Sequence, residues 1–386
     1  MTKTPERPPQ VKTKRIVAGE KPTHTTRLVE IIAVLALVAL IGTGAAVASV
    51  TASGSLGPDD GAPVEPSAAG TLRLGYFANV THAPAIVGLQ KGIFAADLGT
   101  TKIATQVFNA GPAAVEALNA GAIDAAYLGP NPATNSYVQS HGSSLRVIAG
   151  VTSGGAQLVV RASITSADQL KGKVLATPAL GGTQDVALRS WLKEHGLATS
   201  PDGSGDVRIN PTDNASTLKL FTDGKLDGAW LPEPWASRLV LEAGAKVLVN
   251  EAELWDNGQF STTVLVVNKS FLAAHPQTVD ALLKAHVESI QWLEKNHKDA
   301  ASVINAGISD VAGKPLSQKV IERSLDQLHF SADPLAETFP KLLEHSVDVK
   351  VSKPADIAGI FELRPLNRVL LAAGQIPVSA AGLGTE

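Results

Sequence analysis

The sequence predicts an α/β protein of two similar lobes, each a mainly parallel sheet flanked by helices. Two observations predict it. From residue 71 to residue 250, short apolar strands alternate with helices, the pattern of parallel sheets covered on both faces. One stretch also occurs twice, as LNAGAIDAAYLGPNPA from Leu118 and LFTDGKLDGAWLPEPWA from Leu220. Aligned, Gly121 falls on Gly224, Ile123 on Leu226, Asp124 on Asp227, Ala126 on Ala229, Tyr127 on Trp230 and Leu128 on Leu231. Generic helix–Gly–strand junctions account for the glycines and aliphatics. They account less well for the aspartate, the aromatic and the Pro-containing turn, which a duplicated lobe explains together.

The elements follow in order. TLRLGYF (71–77) is a strand, and a helix begins near His82 with Pro84 in its first turn. KIATQVFN (102–109) is a strand, GPAAVEALNAG a helix stopped by Gly121, AIDAAYL a strand, and NPATNSYVQS a helix. A long strand, SLRVIAGVTS, covers 144–153, and the rhythm then restarts. AQLVVR, KVLATP, DVRIN, KLDGAWL and KVLVN are strands. SADQL, GGTQDVALRSWLKEHG, NASTLKLFTDG and EPWASRLVLEAG are the intervening helices. QFSTTVLVVNK (259–269) is a further strand, and the remainder to about Ala373 is mainly helical. In the helix after Gly181-Gly182, the stripe Leu188, Trp191 and Leu192 reads as core.

The N-terminus differs from this body. Residues 1–27 form a basic tail with Lys3, Arg7, Lys12, Lys14, Arg15, Lys21 and Arg27 against Glu6 and Glu20. Leu28–Val50 is apolar or small apart from Glu30, and its 23 residues are enough to span a bilayer. The strongly apolar part, Ile31–Ile41, is shorter, and Ala46-Val47-Ala48 follows it, as in a cleavable signal peptide. Transmembrane anchor and signal peptide both remain open. Either reading places the tail inside and the body outside the cytoplasm. Residues 51–70, rich in Gly, Pro, Ser and Ala, read as a flexible linker.

Bulk composition excludes several functions. The 386 residues suit two lobes plus extras, 44% apolar content can fill their cores, and 18% charged residues argue against general disorder. A net charge of −3, with no basic run outside the N-terminus, argues against nucleic acid. There is no cysteine, so disulfides, thiolate metal sites, a cysteine nucleophile and a lipidated cysteine are excluded. No nucleophile elbow, HExxH, Walker A or dinucleotide fingerprint is present, and no histidine has an i,i+4 histidine partner on a helix. The reading is a binder, not an enzyme, with no metal and no cofactor.

In open α/β sheets ligands sit beyond the C-terminal strand ends, where helix N-termini offer free N–H groups and partial positive charge. Four such turns stand out: Asn79-Val80-Thr81-His82, Gly129-Pro130-Asn131, Gly181-Gly182-Thr183-Gln184-Asp185 and Pro232-Glu233-Pro234-Trp235. The repeated stretch supplies one from each lobe. A ligand held by both would lie in the cleft between them.

Four segments carry a family resemblance: GYFANVTHAPAIVGLQKGIF, FNAGPAAVEALNAGAIDAAYLGPNPA, ATPALGGTQDVALRSWL and DGAWLPEPWASRLV. They resemble the substrate-binding proteins of nitrate/sulfonate/taurine ABC importers, most closely the aliphatic-sulfonate-binding branch. The resemblance covers about residues 71–373. It implies a periplasmic-binding-protein-like fold of type II, hinged at two crossovers near Val147–Ser153 and Phe260–Val267. Lobe 1 would be 71–153 plus 260–373, lobe 2 would be 154–259, and 374–386 a C-terminal tail. It further implies a monomer that captures a small anionic organic ligand, an alkanesulfonate, and delivers it to an ABC permease and its ATPase. Taurine, nitrate and a thiamine-precursor pyrimidine are alternative ligands. A membrane-anchored sensor and a pyrimidine-precursor-synthase-like enzyme are alternative functions. The synthase shares His82-Ala83-Pro84, but its cysteine-rich motif is missing here.

Against that background each candidate has two readings. Gly182, Thr183 and Gln184 would hold sulfonate oxygens, or simply cap a helix. Asn79, Thr81 and His82 would contact the head group, or form a capped turn. Gly129, Pro130 and Asn131 would present backbone N–H groups to the anion. Trp230 or Trp235 would wall an alkyl chain, or pack in the core. Glu233 opposes an anion unless it reads an amine or hydroxyl; its other reading is a pair with a base across the hinge. Asp124 and Asp227 read as structural groups at strand starts.

Overall fold

In the computed structural model, which describes residues 67–386, the repeated stretch builds the same junction twice. Gly121 (φ 68°) and Gly224 (φ 76°) turn the chain out of a helix through the left-handed region. Asp124 and Asp227 then tie a new strand to its neighbour. Asp124 Oδ2 accepts the Arg73 N–H at 2.8 Å and Asp227 Oδ2 accepts the Val174 N–H at 2.9 Å. Their own N–H groups donate back to the Arg73 and Val174 carbonyls, both at 2.8 Å.

The first lobe opens with β1 (Thr71–Phe77), α1 (Ala83–Gln90), α2 (Ile93–Leu98), β2 (Lys102–Phe108), α3 (Gly111–Asn119), β3 (Ala125–Leu128), α4 (Pro130–Gln139) and β4 (Leu145–Gly154). The second lobe follows with β5 (Ala156–Val160), β6 (Val174–Thr177), α5 (Thr183–Glu194), β7 (Arg208–Pro211), α6 (Asn214–Thr222), β8 (Gly228–Pro232), α7 (Trp235–Ala243) and β9 (Lys246–Asn250). The chain then returns with β10 (Ser261–Asn268), α8 (Lys269–Ala274), α9 (Pro276–Lys295), α10 (His297–Ala312), α11 (Gln318–Leu325), β11 (Leu328–Phe330), α12 (Phe339–Asp348), β12 (Phe361–Glu362), α13 (Arg364–Ala372) and β13 (Gly384–Thr385).

Two sheets result. One runs β13-β12-β4-β10-β3-β1-β2 with β11 beside β4, and the other runs β7-β6-β8-β5-β9. Both are mixed, with most strands running in one direction. The antiparallel strands are β10 and β11 in the first sheet and β5 in the second. Alternation along β8 shows how both faces of the second sheet are covered. Trp230 packs with Leu188, Trp191 and Leu192, while Ala229 and Leu231 pack with Phe221 and Leu239 on the other face.

The chain leaves the first sheet at Gly154 and Gly155, both with positive φ (76° and 71°), and a Cβ at Gly155 would overlap the Leu328 side chain. It returns into β10, whose Ser261 lies opposite Ser153. The two crossing points therefore lie side by side.

Several expectations need correction. The helix from His82 breaks at Gly92 (φ 69°) into α1 and α2, and SADQL is only a 3-10 turn over Ala167–Leu170. The final helical region carries two short strands, β11 and β12. The tail 374–386 is part of the first sheet, because Gly384 pairs with Phe361 in the parallel ladder of β13 and β12. The last residues of the linker 51–70 are also tied down: Ser67 N–H donates to Ala274 and Ala69 N–H to Thr278 Oγ1. The basic tail 1–27 and the anchor or signal peptide 28–50 lie outside the described residues. Among the described residues, no helix is long and apolar enough to cross a membrane.

Candidate ligand-binding cleft

The C-terminal ends of β1, β2 and β3 and those of β6, β7 and β8 face one cavity between the sheets. It is lined by Phe77, Asn109 and Gly129 from the first lobe and by Pro178, Asn214 and Pro232 from the second. Asn79, Thr81, His82, Ala110, Gly111, Pro132, Ala179, Gly182, Thr183, Gln184, Thr262 and Thr263 complete it. Its volume is about 40 Å³, room on the scale of a few waters or one compact head group.

The lining mixes neutral polar groups with apolar ones and carries no formal charge. Among the described residues that line it there is no Asp, Glu, Lys or Arg. His82 is buried, and burial pushes its pKa down to about 3, so the ring is neutral. The Phe77 N–H donates to His82 Nδ1 at 3.3 Å, which leaves the ring proton on Nε2. No side chain caps α3, α4 or α5, so first-turn N–H groups around Gly111, Gly129 and Thr183 remain open to a ligand. Thr183 Oγ1 and Asn214 Oδ1 are buried without a hydrogen-bond partner. Such orphaned atoms are costly unless a ligand or water completes them. Asp185 is already occupied: it accepts from Thr177 Oγ1, Gly181 N–H and Arg189 Nε.

The lobes are shut over this cavity. Trp235 Nε1 donates to Asn79 Oδ1 at 2.8 Å, and Lys193 Nζ pairs with Asp348 at 2.7 Å. Gly129 lies directly against Thr183, whose hydroxyl occupies the place a Cβ would need.

Seven of the sequence-derived candidates meet here: Asn79, Thr81, His82, Gly129, Gly182, Thr183 and Gln184. The others do not line this cavity. Pro130 is the first residue of α4, and its ring carries no N–H to offer. The Asn131 amide donates to the Leu342 carbonyl and Ser346 Oγ, away from the cavity. Trp230 is in the core of the second lobe, donating to Glu251 Oε2 at 2.7 Å. Trp235 closes the cleft from outside through Asn79. Glu233 is fully buried and pairs with Arg323 at 3.0 Å, with Ser237 N–H and Ser324 Oγ on its other oxygen. Burial pushes its carboxyl up, while these donors and Arg323 pull it back. Asn109, Asn214, Thr262 and Thr263 were not anticipated. The first two follow strands β2 and β7 in the way Asn79 follows β1, which is the signal that could have found them. Nothing local marks Thr262 and Thr263, which reach the cavity because β10 runs against its neighbours.

Glu251 supplies a test of the packing behind the site. Burial pushes its pKa up to about 8 from 4.5, so its stabilising contribution is full below pH 4.5 and lost as pH rises through 8. His82 and His286 act in the other direction. Their pKa values fall to about 3 and about 4 by burial, so their contribution is full above pH 6.5 and lost as pH drops. Between pH 6.5 and 8 only Glu251 of these three changes stability. Glu251→Gln is expected to remove a decline of about 1.4 kcal/mol per pH unit in that window, read by urea denaturation. An unchanged slope would show that Glu251 is ionised in the folded protein.

Fold and cleft together define a two-lobed α/β protein with the periplasmic-binding-protein fold. The chain belongs to the NMT1-like family, which matches residues 65–307. It is similar to the taurine-binding periplasmic protein of Escherichia coli (strain K12), 28% identical over 209 residues, 54% of this chain and 62% of that protein. It is also similar to the nitrate/nitrite binding protein NrtA of Synechococcus elongatus, 28% identical over 252 residues, 58% of this chain and 55% of that protein. The chain thus spans less than two thirds of either relative. Among solved structures, the alkanesulfonate-binding protein SsuA from Xanthomonas axonopodis pv. citri shares the fold. Its TM-score is 0.64 at 22% identity, covering 75% of this chain and 96% of that one.

Proposed function

We propose that this protein is the extracytoplasmic solute-binding component of an ABC importer and that it captures small organic sulfonates in the interlobe cleft. The observation that carries the reading is the closed cavity of neutral donors and helix starts with no charged side chain on its wall. Such a wall suits a compact oxyanion: helix N-termini supply the positive potential, and no ion pair must break for release. The taurine- and nitrate-binding relatives support the class. Ligand would favour closure by the contacts it makes only in the closed form, and the closed monomer would dock on the permease. Residues 28–50 would tether or export it.

A thermal-shift panel of alkanesulfonates, taurine, nitrate, sulfate, bicarbonate and aminopyrimidines on the full-length chain tests the reading. Ligand at 100 times its Kd should stabilise by about 2.7 kcal/mol. Thr183→Ala with Gln184→Ala is expected to remove the shift with alkanesulfonates. A shift with nitrate alone would favour a second reading, an inorganic-anion binder, which the small cavity volume also supports. A pyrimidine ligand is less well supported, because Glu233 lies outside the cavity.

A further inference from the structure

A second cavity of about 110 Å³ adjoins the first and also spans the two lobes. Thr183 lines both and forms the wall between them. Its apolar surface comes from Val186, Ala187, Trp191, Leu254, Trp255 and Leu342. Its polar groups include Asn131, Ser190, Glu251 and His345. Two of its buried atoms lack partners: Asn131 Oδ1 on a residue 2% exposed and Thr183 Oγ1 on one 4% exposed. The Asn131 amide nitrogen donates to a carbonyl that can only accept, so the orphan is an acceptor awaiting a donor. Cationic and acidic groups stand at the margin. Lys341 Nζ lies 4.6 Å from the centre of the Trp255 ring, and Glu194 is on the opposite lobe. Burial pushes the Glu251 carboxyl up to about 8 and holds His345 below its usual range, which favours the neutral form of both.

We propose that this second cavity is a tail chamber: it takes the distal, uncharged end of an organic anion whose head lies in the first cavity, and that end carries an O–H or N–H group for Asn131 Oδ1. The proposal rests on the anion-binding reading of the first cavity. It explains why the head cavity alone is too small for more than a few heavy atoms while a larger, tryptophan-walled space lies one side chain away. Because the chamber has walls from both lobes, a tail that fills it adds contacts made only in the closed form.

Calorimetric titration of the full-length chain separates the possibilities. The head-only probes are nitrate and methanesulfonate; the tailed probes are 3-hydroxypropanesulfonate and 4-hydroxybenzenesulfonate. Burial of the tail should make the tailed compounds bind at least about tenfold tighter than methanesulfonate. Ala187→Phe fills the chamber without reaching the first cavity. It is expected to abolish that advantage while its melting temperature, measured without ligand, confirms the fold. A tail advantage that survives in Ala187→Phe overturns the proposal. So does equal binding of tailed and head-only probes, which would mean the chamber holds water only. Tighter binding of taurine than of 3-hydroxypropanesulfonate would overturn the uncharged tail. Binding of none of these anions would remove the anion reading, and the chamber with it.

Discussion

Gly129→Ala is expected to weaken ligand capture by at least tenfold, about 1.4 kcal/mol, and Gly129→Val by more. The backbone at Gly129 (φ −71°, ψ 153°) is one any residue adopts, so the substitutions should leave the unliganded fold intact. The obstacle is across the cleft. A Cβ would overlap Thr183 Oγ1 and stand 3.3 Å from Thr183 Cβ, with Pro132 Cδ at 3.7 Å on its other side. Thr183 is β-branched and held at the start of a helix, so it has few ways to turn aside. The variants should therefore bind with a reduced closing rate or a more open liganded form, measurable by calorimetry together with small-angle scattering. Wild-type affinity in Gly129→Val would mean that ligand is held without the lobe contact seen here.

Arg323→Met is expected to cost about 3 kcal/mol of stability in urea denaturation, because it leaves a fully buried carboxylate without its cation. Glu233→Gln combined with Arg323→Met should recover most of the loss, since no unpaired charge then remains. The pair also joins the lobes. Arg323 on α11 donates to Glu233 Oε1, Ser237 Oγ and Gln157 Oε1, and Gln157 Nε2 donates to Gln327. Glu233 N–H is bonded to the Gly155 carbonyl at the crossover, which places the pair at the hinge. A loss below about 0.5 kcal/mol in Arg323→Met would show that water or Ser324 satisfies Glu233 without it. Ligand affinity should change less than stability, as neither residue lines the cavity.

Much of this protein was legible in local sequence. Strand–helix alternation, glycine stops and the repeated aspartate junction depend on residues close in the chain, and they specify two α/β lobes with helix starts at the same ends of both sheets. That is why Asn79, Thr81, His82, Gly129, Gly182, Thr183 and Gln184 could be identified: each follows a strand that must end at the cleft. Tertiary structure decided the rest, because it turns on what lies opposite each residue. Trp230 near the end of β8 and Glu233 in the turn after it stand at the same end of the sheet as the lining residues. One is drawn into a core by Trp191 and Glu251; the other is claimed by Arg323, 90 residues away. Thr262 and Thr263 enter the cleft through the reversal of β10, and the chamber behind Thr183 exists only where α5 and α12 face one another. Local periodicity carries the direction and burial of a single element. It carries no information on which distant charge or ring will meet it, and the interlobe cleft is made of those meetings.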